Sequence, residues 1–290
     1  MGRVLALALA LGLAASVGAA EKFSKGVLWR VSKPGVPPSH VYGTVHLADP
    51  RALKIPPQVM RALDASRSYA MEVPIWDAHD WRMLEAAQYR DGRSLRAQLD
   101  AETWAMLRTI LVARDIPETV IARLKPWAAL ANITVVPDNY ESENLDQRLF
   151  AMARARKLRI EALEGTEEHL SVFEGIPEAA QLAMLRHTVE NRDWLAGMIE
   201  PTLQAWLRRD LAGIRRVNDS IAARYPGMAP HYQTFLRHVV VNRSVVMAHR
   251  LHGPLRSGRV FVAVGATHLY GSKGLLAMIE EQGYRVTSVY

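Results

Sequence analysis

The sequence predicts an α/β protein: a mixed β-sheet built from two β-Gly-x-x-His-α-β units at the chain ends, with a large helical insertion or cap between them. Three observations carry that expectation. Strand-like patterns concentrate in residues 26–73 and 258–290, while helical spacing fills most of the stretch between. The order strand, Gly-x-x-His, loop, helix, strand occurs twice, from Val41 to Val73 and from Val260 to Val289, which reads as an ancient duplication. The run Val260 to Val264 is short and wholly apolar, as a strand buried on both faces requires.

Residues 1–20 are set apart first. Arg3 supplies a positive charge, Val4 to Val17 is an apolar run, and Gly18, Ala19 and Ala20 precede polar Glu21-Lys22. That order is the mark of a cleavable signal peptide, and the run is short against the roughly 20 residues of a membrane helix. An uncleaved anchor is the other reading of the same segment. The expectation is a periplasmic or secreted protein with no stable membrane span after cleavage, and one domain over residues 21–290.

The remaining elements follow in order. Gly26 to Val31 and His40 to His46 are strands, with the Pro/Gly-rich stretch Lys33 to Ser39 as the hairpin turn. Pro57 to Ala65 is a helix started by a tolerated proline, and Ser68 to Val73 is a third strand. The helical cap covers approximately residues 77–251. Within it Asp100 caps Ala101 to Ala113, and Leu145, Leu149, Met152 and Ala153 share one face of the next clear helix. A short strand at Arg159 to Glu164 interrupts the cap, and helices follow over Ile176 to Asn191, Pro201 to Asn218 and His231 to Leu251. The chain closes with the strand Gly258 to Gly265, a helix from Gly271 to Glu281 and a strand from Tyr284 to Tyr290.

Composition narrows the classes of function. Of 290 residues, 49% are hydrophobic and 22% charged, an ordinary globular balance that a core of this size can use. No cysteine is present, so neither a disulfide framework nor a lipid-modified cysteine applies. The net charge of +7 comes from Lys and Arg spread along helices among acids, without a basic stripe interleaved with aromatics. Nucleic acid is therefore not an expected partner. The sequence sets no oligomeric state.

The chemistry concentrates in the two Gly-x-x-His motifs, Gly43 to His46 and Gly265 to His268. A histidine there sits in the loop at a strand's carboxyl end, the edge where α/β sheets bind ligands. Glu72, near the end of the strand that returns from the first motif, can face the same crevice. Two imidazoles and a carboxylate suit Zn²⁺, Mn²⁺ or Co²⁺ and leave a position for water. Each motif alone has a plainer reading, a solvated loop histidine or a strand-end glutamate; the pairing is what raises the functional one. The pairs His249/His252 and His231/His238 fit wet helix faces, and no His-Glu-x-x-His, phosphate loop or Gly-x-Ser-x-Gly elbow occurs.

The chain resembles the TraB/GumN family, which is similar in turn to the TIKI metalloproteases and, more distantly, to erythromycin esterase and ChaN-type haem-binding proteins. The resemblance runs through Leu28-Trp29, Gly43-Thr44-Val45-His46, Ala48-Asp49-Pro50, Met71-Glu72-Val73, Lys125-Pro126-Trp127 and Leu145-Asp146. It continues through Leu163-Glu164, Thr166-Glu167-Glu168, Gln204-Ala205-Trp206, Val264 to Leu269 with Gly271, and Gly283 to Val286. It implies a divalent-metal-dependent hydrolase acting on a peptide or protein, with His46, Glu72 and His268 as ligands and Glu72 as ligand or base. Asp146 and Glu164 match acidic positions of the pattern. Asp146 then orients an imidazole or serves a cap or salt bridge. The family often carries Arg-Asn on the helix before the last motif; here Arg243 is kept and Ser244 follows. Arg243 steadies a carboxylate or a developing oxyanion, or ties the cap down. The alternatives are a non-catalytic haem- or metal-binding protein and an accessory protein of envelope or exopolysaccharide assembly.

Overall fold

A computed structural model of the protein describes residues 22–74, 85–134 and 143–290. The expected signal segment, residues 1–20, and the expected start of the cap at residue 77 lie outside them. The fold is α/β, with a six-stranded mixed sheet and many helices. Its strands are β1 (Leu28–Lys33), β2 (Val36–Thr44), β3 (Ser68–Met71), β4 (Arg159–Ala162), β5 (Val260–Gly265) and β6 (Arg285–Ser288), in the order β4-β3-β5-β2-β1-β6.

The two end units interleave. β5 of the second unit lies between β2 and β3 of the first and runs parallel to both, and β4 runs parallel to β3. Only β1 is reversed, pairing antiparallel with β2 and β6. β5 is fully buried along its length, as its unbroken apolar run requires. Phe261 stacks on Tyr69 and leans on Tyr42, which fixes the centre of the sheet core. Burying one such aromatic contributes about 2–3 kcal/mol. A second core, built within the cap, gathers Leu107, Leu111, Ile121 and Leu185.

Several boundaries differ from expectation for identifiable reasons. The hairpin turn is tighter than Lys33 to Ser39: Val36 already pairs with Lys33, and Gly35 turns the chain at φ +76°. The register of β1 and β2 shifts beside Pro37 and Pro38, which lack the N–H a regular ladder needs. The helix expected over Pro201 to Asn218 is two helices, Ile199–Leu207 and Leu211–Arg224. Arg209 breaks it at φ 59°, and the Asp210 side chain caps the second by accepting from Gly213 N–H. The helix expected over His231 to Leu251 contains a π-helical stretch, Arg237–Asn242, directly before Arg243. The last helix begins at Leu275, after Gly271 at φ +106°. Among the described residues no helix is long and apolar enough to cross a membrane.

Candidate functional site

Sheet register places the site. Thr44 pairs with Gly265 and Met71 with Ala263, so β2, β5 and β3 end nearly level at their carboxyl ends. His46, Glu72 and His268 therefore leave the same edge of the sheet within a few residues of these pairs. The glycines of the two motifs make this approach possible, each for the other motif. A Cβ on Gly43 would meet Leu269 at 2.6 Å and the Ala266 backbone at 3.2 Å. A Cβ on Gly265 would lie 3.0 Å from His46 Nε2 and 3.2 Å from Glu72 Oε1. Trp206 secures the first motif by donating from its indole N–H to the Gly43 carbonyl at 2.9 Å.

Each histidine is held at Nδ1 and turns Nε2 toward Glu72. His46 Nδ1 lies 2.7 Å from Asp146 Oδ2, and Asp146 Oδ1 accepts from the Thr44 hydroxyl at 2.6 Å. An ionised carboxylate only accepts, so His46 carries a proton on Nδ1. His268 Nδ1 lies 2.9 Å from the Ser244 hydroxyl, whose single proton goes to the Val240 carbonyl at 2.8 Å. That assignment makes His268 Nδ1 the donor and leaves Nε2 with its lone pair. Nε2 of His46 is 3.9 Å from Glu72 Oε1, and Nε2 of His268 is 3.7 Å from Glu72 Oε2.

Glu72 is anchored as firmly as the histidines. Its Oε1 accepts from Gly265 N–H at 2.5 Å and its Oε2 from Arg243 Nη2 at 2.7 Å. Arg243 is buried and shared: its Nε donates to Glu164 Oε2 at 2.8 Å, and its Nη1 lies 3.4 Å from His268 Nε2. Glu164 arrives beside Glu72 because strand pairing continues past β4, with Glu164 N–H donating to the Glu72 carbonyl. A profile of the TraB/PrgY/gumN family matches residues 27–288. The chain belongs to that family. No curated protein and no solved structure matches it.

In this TraB/PrgY/gumN chain the site is a compact alternation of charges. Burial alone would raise the Glu72 carboxyl, but His268, His46, Arg243 and the Gly265 N–H outweigh it and hold the group well below the usual range. Burial also pushes the His268 imidazole below its ordinary value. Asp146 raises His46 to about 9 although its outer edge is exposed to solvent, so an ion binding there displaces a proton.

The residues fit a divalent ion in chemistry and only partly in placement. The donors are two imidazole nitrogens and a carboxylate, and the 3.7–3.9 Å separations suit paired ligands each about 2.0–2.2 Å from one ion. Yet the two histidines face different oxygens of Glu72, and Arg243 already holds one of them. Among the described residues no group of three His, Asp or Glu side chains converges on a single point. His46, Glu72, His268, Asp146 and Arg243, all singled out in the sequence, thus meet in one place. Three partners carried no signal of their own there: Thr44 and Ser244, ordinary hydroxyls, and the Gly265 N–H. Ser244 follows Arg243 on its helix, and its hydroxyl makes the contact with His268.

Proposed function

We propose that the protein is an exported, divalent-metal-dependent hydrolase of amide bonds, with peptides or proteins as the substrate class the family resemblance suggests. The observation that carries this reading is the paired presentation of His46 Nε2 and His268 Nε2 to the two oxygens of Glu72, each imidazole steadied from behind. Carboxylate–imidazole pairs of the Asp146–His46 kind are the usual support of metal-binding histidines. Export is supported by the charge and apolar pattern of residues 1–20.

In this reading His46, Glu72 and His268 would hold Zn²⁺, Mn²⁺ or Co²⁺, which would supply Lewis acidity and an acidified water at neutral pH. Asp146 and Ser244 fix the two rings. Glu72 is a ligand first, because a strongly acidic carboxylate accepts protons poorly. Arg243 balances the negative charge of Glu72 and Glu164, and its guanidinium is too fully engaged to turn toward a developing oxyanion without releasing one of them.

Calorimetric titration with Zn²⁺, Mn²⁺ and Co²⁺ tests the reading. The expected result is one ion per chain, lost in both His46→Ala and His268→Ala, with metal-dependent amidase activity. Glu72→Gln losing the ion supports the ligand role; Glu72→Gln keeping the ion but losing turnover returns it to the base role. Absence of binding in the wild type overturns the mechanism.

A further inference from the structure

A large cavity among the described residues lies in the helical cap, not between the histidines. It encloses about 1000 Å³, the upper end of what single-ligand pockets usually offer. One wall is the segment Leu47 to Pro50, which leaves directly from His46. The others are helical and apolar, with Trp127, Leu130, Phe173, Met184 and Phe235 among them. Water in such a space makes few hydrogen bonds, so an apolar occupant gains by replacing it.

The wall also says which apolar occupant fits. A peptide brings an N–H and a C=O with every residue, and each buried without a partner costs at least about 1–3 kcal/mol. No residue lining the cavity belongs to a described β-strand, so there is no strand edge for a peptide backbone to join. Several of the polar side chains present are committed. Gln181 accepts from Trp127 N–H and donates to the Phe173 and Ile176 carbonyls. Asp49 and Glu200 both grip Arg51, and Thr134 donates to Leu130. The side chains of Thr188, Arg192 and Tyr232 make no hydrogen bond among the described residues, and Trp127 Nε1 and His187 Nε2 are buried without a partner; scattered over separate helices, these groups are too sparse a set for a chain of peptide groups.

We propose that this cavity binds a long hydrocarbon chain of the fatty-acyl kind, and, resting on the hydrolase reading above, that the chain is one substituent of the amide cleaved at His46, Glu72 and His268. The apolar tail lies among the cap helices and the polar end emerges along Leu47 to Asp49, beside His46. The peptide preference suggested by family resemblance then applies to the other side of the bond.

Palmitate binding tests this without any need for turnover. Calorimetric titration of palmitate into the protein is expected to show saturable one-to-one binding, with octanoate at least about tenfold weaker because each buried methylene adds roughly 0.8 kcal/mol. Ala131→Trp and Ala222→Trp, on two different walls, are expected to weaken palmitate about tenfold or more while circular dichroism and Tm stay near wild type. Palmitate bound with no hydrolysis of any acyl amide would sink the hydrolase reading and leave the cavity assignment standing. No saturable palmitate binding, binding indifferent to both tryptophans, or a leucine-rich peptide held more tightly than palmitate would overturn the inference.

Discussion

At the scale of single residues, the site depends on groups that touch the histidines from behind. Asp146 is joined to Thr44 and to His46, so its charge both aims the ring and decides its protonation. Asp146→Asn keeps the shape and removes the charge. Within the hydrolase reading, Zn²⁺ affinity should fall about 10–100-fold, read by competition with a chelating dye; an unchanged affinity would show that Asp146 is a helix-start acid and nothing more. Gly265 offers a steric counterpart. Its added Cβ would press on His46 Nε2 and Glu72 Oε1 together, and one of them would have to give by several tenths of an ångström. Gly265→Ala is expected to cost about 1–3 kcal/mol in urea denaturation and to remove ion binding. Loss of stability alone, with affinity intact, would mean the site tolerates the displacement.

At the scale of elements, legibility followed the physics of each signal. β5 could be read because a strand buried on both faces has no polar positions, and Ala101–Val112 because Asp100 caps it through Thr103 N–H. The His46/Glu72/His268 grouping was readable from strand-end positions, since residues at the ends of adjacent parallel strands share one edge. The contacts of Thr44, Ser244 and Gly265 were not, because they depend on register and on a π-helical stretch that shifts Arg243 and Ser244 on their helix. The break at Arg209 was also hidden: apolar spacing continues across it, and only the left-handed Arg209 and the turned Asp210 reveal two helices. Asp210→Ala should therefore cost about 0.5–2 kcal/mol in thermal or urea unfolding, through the lost cap to Gly213. Asp210→Asn retains an acceptor and should lose clearly less; equal losses would assign the effect to the ion pairs with Lys25 and Arg216 instead.

At the scale of the whole molecule, the stability of the fold is tied to pH through histidines away from the site. Burial holds His40 and His187 below their ordinary value, with Arg30 adding to the effect at His40. Between their folded values and about 6.5, the unfolded chain binds more protons at these positions than the folded one. Stability from this source is fully present above about pH 6.5 and is lost as pH falls through the folded values. His46 acts in the opposite window: its raised value makes it protonated in both states at mildly acid pH, so it adds little slope there. The depressed carboxylates of Glu72, Glu164 and Asp210 act below their ordinary range, near pH 4 and under. The interval from about pH 6.5 down to about 4.5 thus reports mainly on buried neutral imidazoles. Urea unfolding across that interval, with a chelator present to keep ions out, should show midpoints that fall steadily toward acid. His187→Gln replaces the titrating ring with a side chain that stays neutral, so the fall should become shallower even if the variant starts from a lower midpoint. An identical slope in wild type and His187→Gln would show that the ring accepts its proton without cost, which its partly buried place against Tyr225 and Asn191 does not allow for.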